Sequence, residues 1–332
     1  MPWIRTGNYF AMEPIEMISR HKDSADLLEH SMAQTMPETT TLSTRQNKNS
    51  LQHAGEMGDL PIRKVIEAHR GWRAIDWTEL RQYSDLFRFL IWREIKVRYA
   101  QSAIGIGWAI IEPVSSMLVF TIIFGQLVKV SSEGAPYAVF SFAALVPWTY
   151  FCNATVDGVN CLITEANMLR KIYFPRMLLP LSAVCAKLVD FGLAMLVLFG
   201  LMAWYKIFPN WFVLFLPLLV ILMVLTAAGV GILLTALAVQ YRDVKHAMSF
   251  LVRILMYAAP VVYPASLIPE RYQLLYALNP MVGVIEGFRA ILLSTRAMPW
   301  DLLAVGTVSA VFLAAFGLIY FRSRERLFAD VA

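Results

Sequence analysis

Six long apolar stretches separated by short loops occupy most of Ala103–Phe321, and they limit the fold before any other feature does. Their bounds are Ala103–Leu127, Tyr137–Asn160, Met177–Trp204, Trp211–Val239, Ala247–Tyr263 and Leu302–Phe321. About 20 apolar residues in a helix cross roughly 30 Å of hydrocarbon. A spanning segment must also satisfy its own backbone, so helices are the expected form. The fifth stretch is the shortest. The chain is 58% hydrophobic and 16% charged, far below the ~25% charge of a soluble domain. The expected fold is an all-α integral membrane protein with six transmembrane helices.

Basic residues near span ends orient such a protein, because they stay on the cytoplasmic side. With the first span entering from the cytoplasm, the inner side carries Arg88, Arg93, Lys96, Arg98, Arg170, Lys171, Arg176, Arg242, Lys245, Arg322, Arg324 and Arg326. The outer side carries Lys129, Lys206, Arg271, Arg289 and Arg296. Both termini are therefore expected in the cytoplasm. The net charge of +5 comes largely from these inner flanks, and anionic headgroups explain it better than nucleic acid does. No cleavable signal peptide is read at Met1–Phe10, which lacks an apolar core. Cys152, Cys161 and Cys185 fall in or beside spans without disulfide or zinc spacing, so they read as small apolar filler.

Residues 1–74 are polar, and Met36–Pro61 is rich in Thr, Ser, Asn and Gln. Such a segment cannot bury enough surface to offset its ordering entropy, so a disordered cytoplasmic extension is expected. Residues 75–102 differ in character. Asp85–Tyr99 (DLFRFLIWREIKVRY) carries Leu86, Phe89, Leu90 and Val97 among Arg88, Arg93, Lys96 and Arg98. The stripe is broken by Arg93, with Trp92 and Ile95 elsewhere around the helix. It fits an amphipathic helix lying in the inner interface, its long side chains snorkelling to headgroups. An ordinary cytoplasmic flank of the first span would give the same positive bias. Residues 103–332 form the membrane domain.

The inner loop Asn167–Arg176 (NMLRKIYFPR) sets Ile172, Tyr173 and Phe174 among Arg170, Lys171 and Arg176. A loop that only turned would need no such apolar group, so this one reads as a docking surface. Thr164 is the expected N-cap of a docking helix, with Glu165 favourable to its dipole and Pro175 stopping it. Gln240–His246 is a second inner contact or a solvated turn. No Gly in the chain is followed by Lys, so the phosphate-binding G-x-x-x-x-G-K-[ST] pattern is missing.

Glu112, Asp157, Lys187, Asp190 and Arg253 lie inside spans, within about 5–20 Å of the inner ends at ~1.5 Å per residue. A charge at a helix centre costs roughly 2.5–3.5 kcal/mol on insertion scales, so each should face protein or water. A polar cavity open to the cytoplasm is one reading. Mutual neutralisation is the other, with Lys187 beside Asp190 and Arg253 paired to Glu112 or Asp157. Asn153, Asp157, Asn160 and Thr164 add a polar stripe that could wet a cavity wall or glue helices. Trp108, Phe120, Phe124, Phe140, Phe142, Trp148, Tyr150 and Phe151 crowd the first two spans. They could contact sugar rings or simply pack.

Pro264–Pro299 is too apolar for a plain outer loop. Asn279-Pro280 reads as an N-cap followed by Pro at the first helical position. Val282, Ile285, Phe288 and Leu292 recur at helical spacing, and Glu286 and Arg289 form an i,i+3 pair. With Pro269–Leu278 as a partner helix, two short helices would dip back from the outer face, which requires protein around their ends. No catalytic set and no metal spacing are found. A glycosyltransferase or ligase acting on polyprenyl-linked sugars would need an acid/base set on one face, and a secondary transporter would be expected to show repeats and broken helices.

Three segments carry a family resemblance: Arg93–Pro113 (REIKVRYAQSAIGIGWAIIEP), Asn167–Arg176, and Asn279–Leu293 (NPMVGVIEGFRAILL). From about Ile75 to Ala332 the chain resembles the permease subunit of type-2 ABC exporters for polysaccharides, the O-antigen and capsule group. A teichoic-acid-type or other ABC exporter permease is the near alternative. The resemblance implies a homodimer with two ATP-binding subunits that hold ATP and Mg, the permease having no cofactor or metal of its own. The implied cargo is a polysaccharide on polyprenyl diphosphate or a similar lipid, met at the inner leaflet by Arg88, Arg93, Lys96 and Arg98. A channel is implied along Glu112, Asn153, Asp157, Lys187, Asp190, Arg253, Trp108, Phe120, Phe124, Trp148 and Tyr150. A coupling helix over Thr164–Tyr173 would present Asn167, Leu169, Arg170, Lys171, Tyr173, Phe174 and Arg176. Asn279, Pro280, Glu286 and Arg289 would belong to the outer gate.

Overall fold

The computed structural model describes residues 81–100, 105–165, 168, 174–241 and 243–325, all within the unit Trp72–Ala332. The extension 1–74, Arg242 and Arg326 lie outside the described residues. So do Asn167, Leu169, Arg170, Lys171, Ile172 and Tyr173 of the docking loop. Among the described residues there are helices and no strands.

Helix α1 is Ser84–Ala100. The first span starts with a 3-10 turn at Gly105–Gly107, continues as α2 (Trp108–Phe120) and ends in a π-helical stretch, Thr121–Leu127. Helix α3 is Tyr137–Thr164. The third span is split at Lys187 into α4 (Leu178–Ala186) and α5 (Leu188–Trp204). Helix α6 is Leu216–Gln240, preceded by a 3-10 turn at Trp211–Phe215. Then come α7 (Asp243–Ala258), α8 (Glu270–Tyr276), α9 (Pro280–Leu293) and α10 (Trp300–Arg324).

Five spans are long and apolar enough to cross a membrane: Gly105–Leu127, Tyr137–Leu162, Leu178–Trp204, Trp211–Gln240 and Trp300–Arg324. The fifth sequence stretch differs. Helix α7 has 16 residues, about 24 Å at 1.5 Å per residue, and the chain then leaves the helix for turns at residues 259–263. The sixth apolar unit is the bent pair α8 and α9, which meet at 111°. This is the dipping pair expected from Asn279-Pro280. The Asn279 side chain accepts from the Met281 N–H at 3.1 Å, and the helix ends at Ser294 in the left-handed region, φ 55°.

Helix α3 is the centre of the bundle, with 83% of its apolar stretch buried, against 11% for the first span. Every residue of α9 is buried, which meets the requirement that a helix ending inside the membrane be covered by protein. Helices α6 and α10 cross at backbone contact. A Cβ added to Gly229 would lie 2.7 Å from the Ala314 Cα, and one added to Gly317 would lie 2.6 Å from the Gly229 carbonyl oxygen. Small residues allow this approach, and packing is what holds helices together where the hydrophobic effect cannot. Gly317→Val is therefore expected to push the two helices apart and lower the yield of folded protein recovered in mild detergent. Wild-type recovery and melting behaviour would rule out that close crossing.

Candidate functional site

A cluster of four charges forms around Lys187, the residue between α4 and α5. The Lys187 ammonium meets two carboxylates, Asp157 on α3 at 3.1 Å and Asp190 on α5 at 3.4 Å. Arg98, near the end of α1, reaches the same pair, Asp157 at 2.7 Å and Asp190 at 3.2 Å. The neighbouring Tyr99 hydroxyl donates to Asp190. Burial, and then the Asp190 carboxylate it donates to, push this phenol above its usual pKa. Two cations and two anions thus neutralise one another and tie α1 to α3 and α5. Of the two readings of the intramembrane charges, pairing holds for Asp157, Lys187 and Asp190. It does not hold within the chain for Arg253, which is exposed on α7 and forms no ion pair among the described residues.

Beside the cluster is an open cleft lined by Glu112, Thr149, Tyr150, Asn153, Lys187 and Asp190 among others. Asn153 and Glu112 therefore sit on its wall. The aromatic expectation divides. Tyr150 lines the cleft and donates to the Val184 carbonyl at 3.1 Å. Trp148 is only 3% exposed and packs on Phe151, so it fills the core. Phe120 and Phe124 stack edge to face at 5.6 Å against the core, while Trp108 is outward and exposed. Farther along the stripe, the Asn160 side-chain amide donates to the Val156 carbonyl.

The four cations of α1 also divide. Arg93 pairs with Glu165, just after α3, at 2.6 Å, and Arg98 is in the cluster above. Arg88 meets only the exposed Asp85, at 3.9 Å, and Lys96 lies over the Trp92 ring at 4.6 Å. Helix α1 buries Leu90, with Leu86 and Phe87 packed beside it against the start of α4. Phe89, Trp92 and Val97 face outward. The single stripe read from the sequence is thus two apolar faces, one against protein and one free with Arg88 and Lys96.

The docking loop is corrected at its described ends. Thr164 is the last residue of α3, its hydroxyl donating to the Asn160 carbonyl at 3.1 Å. It therefore sits in the last turn of α3, where the expectation had it outside a helix as an N-cap. Phe174 is buried with Leu162, Met177 and Leu178, so it anchors the loop and offers no docking surface. Arg176 donates to the Glu325 carbonyl at 2.7 Å, fastening the loop to the end of α10.

At the opposite end, Arg289 and Glu286 pair at 3.1 Å and both are almost fully buried. The Arg289 guanidinium also donates to the Val261, Tyr263 and Phe140 carbonyls, at 2.8, 3.3 and 3.4 Å, and lies 3.7 Å from the Phe140 ring centre. Glu286 accepts from the Ala265 N–H at 3.0 Å. Arg296 bridges Glu286 at 3.6 Å and Glu133 at 3.4 Å, and Ser266 donates to Glu133 at 2.8 Å. Sequence reading found the i,i+3 pair but missed Glu133 and Arg296, because a charge in a short loop looks solvated. It missed Tyr99 as well, whose only signal was its place after Arg98.

Comparison with known proteins agrees with this architecture. Residues 85–293 match the family described as "ABC-2 type transporter". The chain is 32% identical over 255 residues to the "O-antigen export system permease protein RfbA" of Myxococcus xanthus, an overlap of 76% of this chain and 97% of that protein. It is 25% identical over 249 residues to a protein of the same name from Klebsiella pneumoniae, covering 74% and 95% of the two chains. Similarity extends to the "Polysialic acid transport protein KpsM" of Escherichia coli, 25% identical over 244 residues, covering 71% and 92%. A match across more than half of the chain, in the same helical bundle, makes this protein a member of the ABC-2 type transporter family.

Proposed function

We propose that this chain is the channel-forming membrane subunit of an ATP-driven exporter. The cargo is a polysaccharide such as O-antigen, carried on a polyprenyl diphosphate lipid across the bacterial inner membrane. Two copies form the pathway, both termini lie in the cytoplasm, and two separate subunits bind ATP and Mg. The names of the related permeases support the polysaccharide. The observation that carries an ATP-driven mechanism is the double fastening of α1. Arg93 holds it to Glu165 at the start of the docking loop, and Arg98 holds it to the carboxylates of α3 and α5. Force delivered to that loop by a docked ATPase would reach three helices through charged contacts. Arg88 and Lys96, on the free face of α1, are the cations available to a lipid diphosphate, through charge-assisted hydrogen bonds.

Co-purification tests this reading. The chain should bring down an ATP-binding subunit and a diphosphate-linked glycan. A glycosyltransferase activity in the purified chain, with no ATPase recovered, would overturn it. Tyr173→Ala should reduce recovered ATPase and stop export while leaving the permease folded. Phe174→Ala should instead lower permease stability by about 3–5 kcal/mol, as for other buried Phe truncations. Replacing Arg88 and Lys96 with Gln should slow export more than basal ATP hydrolysis, and equal loss of both would remove the diphosphate role.

A further inference from the structure

Within the spans, Asp157, Lys187, Asp190, Glu286 and Arg289 all have partners of opposite charge. Glu112 and Arg253 do not: among the described residues neither forms an ion pair. Lys187 shares the cleft with Glu112, but its ammonium is already taken by Asp157 and Asp190. The two unpaired groups have opposite signs. Glu112 is seven residues along its span from Gly105, roughly 10 Å, and Arg253 is ten residues from Asp243, roughly 15 Å, from the same end of the bundle. The reach of an arginine side chain covers the difference.

Both side chains lie on outward faces. On α2 that face includes the exposed Trp108 and Val119; on α7 it includes Phe250 and Tyr257. Facing lipid, each charge would bear an uncompensated cost. Helices α2 and α7 both pack against α3. In a two-fold assembly, a contact of α2 with α7 of the other copy is made twice, because residue i meets j and j meets i.

We propose that Glu112 of each copy forms an ion pair with Arg253 of the second copy, so that two such pairs join α2 to α7 across the assembly. This rests on the two-copy reading given above. A pair of this kind fixes which helix faces meet, because other appositions leave the two charges without a partner of opposite sign.

The test uses the full chain in nanodiscs, with Cys152, Cys161 and Cys185 replaced by Ala. One tagged copy carries Glu112→Cys and a differently tagged copy carries Arg253→Cys. A short bis-maleimide should join the two tags, and copies carrying one cysteine alone should not be joined. In the cysteine-replete chain, E112R and R253E should each reduce recovered dimer at least about tenfold, as when one partner of a buried charge pair is lost. The combination E112R/R253E should restore it. A mass corresponding to two copies with no cross-link, or with no restoration by the swap, overturns the pair while leaving the two-copy reading intact. A single-copy mass for the unsubstituted chain overturns both.

Discussion

Arg289→Met is expected to be strongly destabilising. The guanidinium joins α9 to α3 through the Phe140 carbonyl and to residues 261–263 through two more carbonyls, while neutralising Glu286. A methionine fills similar volume but leaves a carboxylate that is 3% exposed with only the more exposed Arg296 nearby. Removing one partner of a buried pair costs about 3–5 kcal/mol, because the remaining charge is left without compensation. Heat-induced aggregation in detergent should shift to clearly lower temperature, and export should fail. Glu286→Gln together with Arg289→Met should recover part of the loss, since no net charge is then stranded at the pair. Unchanged melting of the single variant would show that the pair does not hold the re-entrant helices.

The second large effect is expected at Lys187. Lys187→Met leaves Asp157 and Asp190 sharing Arg98 alone, one cation against two anions. Exposed pairs are worth up to about 1 kcal/mol, whereas breaking a buried one costs about 3–5. With Lys187 largely buried and Asp157 more than a third exposed, an intermediate loss of roughly 2 kcal/mol follows. It should appear as faster proteolysis within α1, whose hold on α3 and α5 depends on that charge balance. Adding Asp157→Asn restores one cation to one anion and should return protease resistance towards that of the unmodified chain. If the double variant is as sensitive as the single one, Lys187 acts through packing and not through charge.

Hydropathy along the chain located the spans closely: Tyr137–Asn160 became Tyr137–Thr164, and Trp211–Val239 became Trp211–Gln240. Local chemistry was equally legible at Asn279-Pro280 and at Glu286 and Arg289, where cap and pair partners lie within three residues. These features depend on neighbours a turn or less away, so the sequence alone contains them.

Tertiary structure decided the rest. Arg98 looked like a headgroup ligand until α3 and α5 brought Asp157 and Asp190 to it. Phe174 looked like a docking residue until α4 closed over it, and Trp148 looked like a channel wall until the bundle buried it. Helix α7 ended at Ala258, short of the Tyr263 expected for the fifth span. In each case the residue type allows several environments, and the choice is made by groups tens of residues away. Hydropathy measures what a segment loses in water, but not which other segment will cover it. That choice belongs to the packing of α3 against its neighbours, where pairing opposite charges avoids the cost of leaving either one alone in hydrocarbon.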